Sequence, residues 1–293
     1  MVDFAEMMRN SNMLDDLVEE TKKLDKGGFQ KDDRYWQPVK DSSGKADAII
    51  RFLPPPPFEG EEKTVMVKRY NYGFKGPTGQ WYIENSPSTL GLPDPVMEAN
   101  SLQYNSGTEE GKKIASNRKR KTQYISNILV VKHEARKSDE GKVFLFAYGI
   151  KVHNKIMDKM NPDDEDVKKW NPFDPLTGAN FRLRIRNVEG FPNYEKSEFD
   201  ERGPISKDQD VIEEIWKRQY SLKAEVAPDK FKSYDDLMAQ FKRVWPSERI
   251  TSVDSDDLPW EAPKQERAAS PRRVETASAD DEDTAFFDSL AED

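Results

Sequence analysis

Cysteine is absent from the 293-residue chain, and histidine occurs only twice, at His133 and His153. Without cysteine the chain can form no disulfide, no thiol nucleophile and no zinc–thiolate site. Imidazole is the commonest general base and metal ligand near neutral pH. Because the two histidines have no partner at ligand spacing, we expect both to lie at the surface or in loops. We therefore predict a protein that is not an enzyme and has no cofactor.

Long apolar runs are also missing from this chain. No stretch of about 18 apolar residues occurs, so a transmembrane helix is not expected. Residues 1–12 lack the basic and apolar regions of a secretory signal. These two absences predict a cytoplasmic protein without membrane contact. Charged residues make up 34% of the chain and hydrophobic residues 35%, which predicts that part of it is not packed.

Negative charge is concentrated at the C-terminal end. Residues 251–293 hold 13 acidic and 4 basic residues, so they account for the whole net charge of −9. The segment is rich in Ser, Ala and Pro and has no sustained apolar period, which predicts disorder. Its acidic tip carries an apolar group that a purely solubilising tail does not need. We expect this group to bind a partner protein, through Phe286, Phe287 and Leu290.

Patterns of β-structure dominate the middle of the chain. Strands are predicted at residues 46–54, 64–74, 81–83, 126–131, 142–152 and 181–188. The segment 3–25 predicts a short amphipathic arm that ends at Gly27 and Gly28. Helices are predicted at 210–222 and 233–244, the latter with Ser233 as N-cap. We therefore predict an α+β protein with a mainly β core, arranged as a small barrel or OB-like sheet.

The stretch FRLRIRNV (181–188) alternates strictly between apolar and basic residues. In a strand, successive side chains point to opposite faces, so its arginines project from one face about 7 Å apart. This spacing is close to that of phosphates in an extended nucleic-acid strand. A solvated face is the alternative, but such faces usually mix charges of both signs. The pattern favours a binding role for Arg182, Arg184 and Arg186.

The densest positive charge precedes the predicted strand at 126–131. Between residues 111 and 132 there is no acidic residue, and the bases are Lys112, Lys113, Arg118, Lys119, Arg120, Lys121 and Lys132. Seven positive charges on one loop repel one another unless an anion joins them. The alternative is a solubilising or localisation signal. We expect a loop at the rim of a nucleic-acid groove, anchored by the strand that follows it.

Aromatic residues are interleaved with these bases. Single-stranded bases are unstacked and stack on flat side chains, with about 1–3 kcal/mol per base. No basic recognition helix and no zinc finger is present in the sequence, so a duplex reader is disfavoured. Basic residues and aromatics on β-strands therefore predict a single-strand-binding groove. The predicted contact residues are Arg51, Lys68, Arg69, Tyr82, Arg118, Lys119, Arg120, Lys121, Tyr124, Phe146, Tyr148, Arg182, Arg184, Arg186, Phe191 and Tyr194.

Several blocks resemble, in order, the single-stranded DNA-binding proteins of T-even-type bacteriophages. They are IRFLP (50–54), GQWYIE (79–84), KRKTQYISNILVVK (119–132), EGKVF (140–144), GANFRLRIRNVEGFPNY (178–194) and DKFKSYDDL (229–237). The resemblance implies an OB-fold core with a β-rich insertion at residues 28–245. It implies an arm for cooperative self-association along DNA at 1–27. An acidic tail at 246–293 would recruit phage replication and recombination proteins in the cytoplasm of the infected host.

The resemblance also assigns roles to individual residues. Lys119, Arg120, Lys121 and Thr122 match the family's core basic motif, while Tyr82, Tyr124, Phe191 and Tyr194 match its cleft aromatics. This chain departs from the pattern at Ile125, where the family has an aromatic residue. Its arm retains only Arg9–Asn10–Ser11–Asn12 of a second basic motif. The family's zinc ligands, one His and three Cys, align with Tyr72, Ser86, Asp94 and Met97, so we expect no zinc in the insertion.

Three other functions fit parts of the sequence. The acidic run at 162–167 resembles a carboxylate metal site, but its Pro- and Asn-rich setting favours a solvated loop. An acidic adaptor that binds only proteins is argued against by the arginine strand. Stacking and backbone contacts alone do not separate DNA from RNA, so a single-stranded RNA binder stays open.

Overall fold

The computed structural model describes residues 32–60, 63–164, 166–188 and 190–246. The predicted arm (1–27) lies outside these ranges, as does the predicted tail apart from Pro246. The chain divides into two units, residues 1–34 and 35–293. In the described part of the first unit, Arg34 pairs with Asp32 at 2.6 Å. Among the described residues, no helix has the length and apolar character needed to cross a membrane.

The second unit contains a curled antiparallel sheet. Its described strands are β1 (Ala46–Phe52), β2 (Val67–Lys75), β3 (Trp81–Asn85), β4 (Lys121–Lys132), β5 (Val143–Tyr148), β6 (Ala179–Val188), β7 (Phe191–Asn193) and β8 (Glu198–Arg202). Six of them follow the order β3-β2-β4-β1-β6-β7, while β5 pairs with β4 and β8 pairs with β6. The result is a mixed α/β structure with a half-barrel, as an OB-like fold requires.

Helices surround this sheet. The described α-helices are α1 (Pro95–Asn105), α2 (Glu109–Asn117), α3 (Ile150–Met160), α4 (Gln209–Lys217) and α5 (Tyr234–Val244). The prediction for α5 is confirmed, and the Ser233 hydroxyl accepts a hydrogen bond from the Asp236 amide at its start. The helix predicted at 210–222 is also present as α4, but it ends at Lys217. The prediction that one strand spans 142–152 is wrong beyond Tyr148, because α3 begins directly after Gly149.

Helices α1 and α2 were not predicted. Asp94 caps α1 by accepting from two amide N–H groups, and Pro95 occupies its first position, where a missing N–H costs nothing. Thr108 caps α2, and two glutamates follow in its first turn. Helical periodicity is weak in α1, and α2 has only nine residues, of which Gly111 and Ala115 are buried. The basic stretch 111–132 is consequently not one loop: it is divided between the end of α2, a short link and β4.

Strand β4 determines the curvature of the sheet. Its first residues pair with β2, its middle with β5 and its end with β1. A strand that exchanges partners along its length must twist and bend away from a flat plane. A register shift between Ile49 and Ile50 of β1 adds a local irregularity. The residues at the start of β4 therefore lie at the junction of the half-barrel with the β2–β3 hairpin.

Two separate apolar clusters lie on the two sides of this junction. The main core lies inside the half-barrel and is covered by α3; its fully buried residues include Trp36, Ile50, Phe52, Ile128, Val130, Phe181 and Leu183. A second core joins the β2–β3 hairpin to α1 and α5, and its buried residues include Tyr72, Phe74, Tyr82, Val96, Leu237 and Phe241. The segment between β1 and β4 is therefore as helical as it is β, and α5 completes its core.

Candidate nucleic-acid interface

Strand register decides which site residues share a face. Lys68 lies opposite Tyr124, and Tyr70 lies opposite Thr122, in the β2–β4 pair. Opposed residues of an antiparallel pair project to the same face. These four side chains therefore lie on one face at the junction of the two cores. It is the face that continues along β4 into the main core, since Tyr124 packs there.

Two cations converge on Tyr70. The Arg120 guanidinium carbon is 3.7 Å from the ring centroid, and the Lys68 ammonium is 4.8 Å from it. Arg120 Nη1 also donates to the Ser88 hydroxyl at 2.7 Å, which fixes the guanidinium over the ring. The three side chains are only partly covered or exposed. We call Lys68, Tyr70 and Arg120 the cation–tyrosine cluster; it presents two positive charges beside an accessible aromatic ring.

A stack of rings adjoins this cluster. Tyr124 lies between Tyr148, at 6.0 Å between ring centroids, and His153, at 3.8 Å and an interplanar angle of 18°. Burial raises the pKa of Tyr124, and the nearby Lys68 opposes that shift. Tyr148 is buried, and its hydroxyl forms a 2.9 Å hydrogen bond with Ser126. Tyr124 is therefore held between two nearly parallel rings and has little exposed surface of its own.

An open groove of about 610 Å³ extends from Arg120 between α1 and α2. It is lined by polar and basic side chains, among them Asn100, Lys112 and Lys119, and by Tyr104, which is 61% exposed. Lys112 pairs with Glu109 at 2.9 Å on the surface, where such a pair contributes little stability. The groove thus continues the positive and aromatic surface of the cation–tyrosine cluster.

Two arginines that the sequence assigned to the interface are buried. Arg51 Nη2 donates to the carbonyl oxygens of Asp174 and Gly203, at 2.8 and 2.9 Å. Burial lowers the pKa of Arg51 to about 10, although Asp174 opposes the shift. Arg118 lies below the rings of Trp245 and Phe241, at 4.5 and 5.2 Å. Both assignments are corrected, because these guanidinium groups hold segments of the protein together instead of facing a ligand.

Three predicted stacking aromatics belong to the cores. Tyr82 stacks on Phe74 at 5.0 Å within the second core, where burial raises its pKa well above the ordinary range. Phe146 and Tyr148 point into the main core. Their alternation along the strand was predicted correctly, but it places them on the packed face. A base cannot reach these rings, so we remove all three from the interface.

The remaining arginines of the predicted set have acidic or polar neighbours. Arg69 lies on the other face of β2, where it bonds Gln123 at 2.9 Å and faces Glu225 at 3.8 Å. Arg182 pairs with Asp200 at 2.9 Å. Arg184 lies 3.4 Å from Glu198 and 3.9 Å from Asp47. The expectation of an all-arginine face on β6 is wrong, because neighbouring strands supply the opposite charge.

The register also separates this arginine row from Tyr124. Ile50 pairs with both Val130 and Phe181. Val130 and Tyr124 are an even number of residues apart, so both share the face of Phe181. The arginines alternate with Phe181 and therefore occupy the opposite face of the sheet. Of the three, Arg186 is the exposed one near the β6–β7 turn, and no carboxylate pairs with it among the described residues.

The last predicted residues lie at the edge of the site. Phe191, 39% exposed, occupies the β6–β7 hairpin. Tyr194 follows it and packs partly against the main core. Lys155 of α3 donates to the Glu195 carbonyl at 3.0 Å, so this hairpin lies beside the helix that carries His153. Lys121 lies opposite Asn71, on the other face from Tyr70.

The four positions aligned with the family's zinc ligands come together as a polar cluster. The Ser86 hydroxyl donates a short hydrogen bond to Asp94 Oδ2, and Asp94 Oδ1 accepts from the amides of Val96 and Met97 at 3.0 Å. Tyr72 packs beside them. Burial raises the pKa of Asp94 despite these bonds. Within the described ranges no group of three or more His, Cys, Asp or Glu side chains could hold a metal ion.

Three residues of the assembled surface were not in the predicted set. Tyr70 alternates with Lys68, and this period-2 pairing beside the basic run could have revealed it. Tyr104 lies on α1, which the sequence analysis missed. His153, expected at the surface or in a loop, lies partly exposed at the surface of α3 and stacks on Tyr124. The expectation is wrong for His133, which is fully buried and whose Nδ1 lies 3.3 Å from Asp139.

Comparisons with known proteins show the family to which this chain belongs. A family model described as "gp32 DNA binding protein like" matches residues 44–245. The chain is 37% identical over 229 residues to the single-stranded DNA-binding protein of Enterobacteria phage T2, covering 75% of this chain and 72% of that protein. It is 35% identical over 223 residues to the protein of the same name from Enterobacteria phage T4, covering 74% and 72%. Identity is 38% over 104 residues to that of Enterobacteria phage RB70, covering 34% and 82%.

Proposed function

Because this chain belongs to the gp32-like family of DNA-binding proteins, we propose that it binds single-stranded DNA without sequence specificity. The observation that carries the proposal is the cation–tyrosine cluster beside the Tyr124–His153 stack on one face of the sheet. Cations contact phosphates of any sequence, and every base has a face that can stack. The α1–α2 groove extends this surface for further nucleotides.

We assign separate roles to the cations and the aromatic rings of this surface. Lys68, Lys119 and Arg120 neutralise phosphates, which releases counterions and favours association at low salt. Tyr70 supplies a ring for a base and is held in place by the two cations that contact it. Phe191 and Tyr194 extend the aromatic surface along the β6–β7 hairpin. Lys121 and Arg186, on neighbouring surfaces, contribute to the positive field that steers the DNA backbone.

The segments outside the described ranges complete the proposed function. Residues 1–27 serve as an arm through which molecules associate side by side along DNA, so that binding is cooperative. Residues 246–293 recruit partner proteins, with Phe286, Phe287 and Leu290 as the contact group. The family resemblance and the charge distribution of the sequence support both roles. In phage replication, recombination and repair, the protein then protects single strands without catalysing a reaction.

The affinity for DNA tests this proposal directly. We expect fluorescence titration with oligo-dT to show binding that weakens steeply with salt, since each phosphate contact on a single strand contributes about 0.7 to the log–log slope. Replacing Lys119 and Arg120 with alanine should lower affinity and flatten the slope by roughly 1 to 1.5. Lys142→Ala is the control. Lys142 lies beside Val130, about 20 Å along β4 from Tyr124.

Two results would contradict the proposed interface. One is equal loss of affinity in the Lys142→Ala protein and the Lys119/Arg120 double variant, since that would place the DNA elsewhere. The other is binding of duplex DNA as tight as that of oligo-dT. Titration with oligo-rU distinguishes a DNA-binding from an RNA-binding role, and tighter binding of oligo-rU would favour the latter.

The absence of zinc is part of the same proposal. The Ser86–Asp94 hydrogen bond and the helix cap on α1 occupy the aligned ligand positions. They hold the turn between β3 and α1 without a metal. Metal analysis of protein purified without chelator should find much less than one zinc per chain. A tightly held stoichiometric zinc, with a melting temperature lowered by chelator, would refute this part.

A further inference from the structure

His153 ends the row of rings that begins in the main core. Tyr148 is buried, Tyr124 is nearly so, and His153 is partly exposed at the surface of α3. The imidazole and the Tyr124 ring are almost parallel at 3.8 Å, a true stacking distance. Among the described residues, no further ring stacks on the outer face of His153. The exposed end of the aromatic row is therefore an imidazole and not a tyrosine.

Charged neighbours of His153 are all of one sign. Lys68 of β2 acts on it electrostatically, the Tyr124 ring of β4 stacks on its imidazole, and Asn154 is its polar neighbour on α3. No carboxylate acts on the ring in the described part of the chain. His153 Nδ1 is buried and has no hydrogen-bond partner there. Burial, and to a lesser extent Lys68, lowers the pKa of His153, while Asn154 opposes this shift.

We propose that His153 is a further nucleic-acid contact, on which a base stacks and whose protonated ring joins Lys68 in neutralising a phosphate. This rests on the proposed single-strand-binding function and deepens it. Parallel stacking fits the sequence tolerance expected of that function, because a flat ring accepts any base. The position beside Lys68 fits the second role, because a phosphate there offsets the repulsion from Lys68 that adds to the effect of burial on the free ring.

The consequence is DNA affinity that depends on pH. In the free protein, burial lowers the pKa of His153 and so favours its neutral form. A bound phosphate favours the imidazolium, so the pKa rises in the complex. By linkage, affinity increases as the pH falls through the bound pKa and levels off below the free pKa. An upward shift of about half to one unit corresponds to roughly three- to tenfold tighter binding.

Three variants of the full chain separate stacking from charge. His153→Phe keeps a stacking ring and cannot be protonated. It should bind oligo-dT like the wild type at pH 8 and lose the three- to tenfold gain between pH 8 and 5.5. His153→Ala and His153→Gln lack the ring, so both should bind roughly 5- to 100-fold more weakly even at pH 8. Melting curves measured alongside establish that each variant is folded.

NMR follows the titration of His153 itself. The chain has only two histidines, so the imidazole signals are few. Those of the wild type should show the His153 midpoint rising when saturating oligo-dT is added. The inference is overturned if that midpoint stays fixed, or if wild type and His153→Phe have the same pH profile. Failure of the wild type to bind oligo-dT at any pH would instead refute the proposed function.

Discussion

Two arginines that are neighbours in the basic run, Arg118 and Arg120, should respond in opposite ways to replacement by alanine. Arg118 is fully buried between α1 and α5, where its guanidinium contacts Phe241 and Trp245. Its Nε donates to Asn100 at 3.0 Å. Arg120 is partly exposed on Tyr70. We expect Arg118→Ala to reduce the free energy of unfolding, and Arg120→Ala to reduce DNA affinity.

The magnitude for Arg118 follows from its contacts. Each desolvated cation–π contact contributes about 0.5–2 kcal/mol. Leaving the Asn100 oxygen without a partner costs about 1–3 kcal/mol more. Because these contributions overlap, we expect a loss of about 2–5 kcal/mol. Typical domains are stable by only about 5–15 kcal/mol, so this is a large share. For a protein of this size, each kcal/mol corresponds to about 2–4 °C in melting temperature.

Urea unfolding and oligo-dT titration of the two variants test this contrast. The Arg120→Ala protein should lose about 0.5–1.5 kcal/mol of unfolding free energy, less than Arg118→Ala, because it gives up one partly exposed cation–π contact and the hydrogen bond to Ser88. Its salt slope should fall by about 0.7, because one phosphate of the bound strand is no longer neutralised. The contrast is refuted if Arg118→Ala leaves the unfolding free energy unchanged and flattens the salt slope instead. That outcome would mean that Arg118 leaves its aromatic site to contact DNA.

Three further predictions concern the tail, the arm and the second core. Truncation after residue 250 should raise oligo-dT affinity at low salt, and the gain should shrink as salt screens the competition between the acidic tail and DNA. Unchanged affinity after this truncation would exclude such competition. The double change Phe286→Ala and Phe287→Ala should abolish partner binding without altering DNA affinity. Deleting residues 1–25 should weaken binding to long strands and leave that to a one-site oligomer intact, whereas equal losses would exclude a cooperative arm. Asp94→Ala should destabilise the fold by about 1–2 kcal/mol through loss of a helix cap, and Asp94→Asn by clearly less in urea unfolding at pH 7. Burial raises the Asp94 pKa in the folded state, so the wild type should gain stability relative to Asp94→Asn as the pH falls through that value; no gain would contradict it.

Local patterns of the sequence determined much of the sheet. The alternation of Phe181, Leu183 and Ile185 with arginines predicted β6 and its buried face, because side chains in a strand alternate strictly. Ser233 and the acidic residues after it predicted the start of α5, because capping is a local interaction. The helix α1 was not predicted from the sequence. Its buried surface is small, and its stability depends on Asp94, Ser86 and the packing of α5.

The sequence predicted which types of residue form the candidate site, but not which of those residues lie together in space. The sequence identified a basic run and interleaved aromatics, and two of the predicted residues, Lys68 and Arg120, belong to the cation–tyrosine cluster. It could not separate Arg120 from Arg118, since both are basic residues in the same run. The difference arises from Phe241 and Trp245, which lie more than a hundred residues away along the chain and cover Arg118 alone.

The sequence alone determined that residues 1–250 carry no net charge and that the acidic charge lies in residues 251–293. Its resemblance to a known family also indicated a single-strand-binding protein. Only the tertiary structure decided which cations face outward. The arginine row of β6 is neutralised by Asp200, Glu198 and Asp47 from neighbouring strands, and the sheet separates it from Tyr124. Tertiary structure likewise brought His153 onto that ring. Strand pairing and helix packing join residues that are distant along the chain, so a local pattern carries no information about which of them meet.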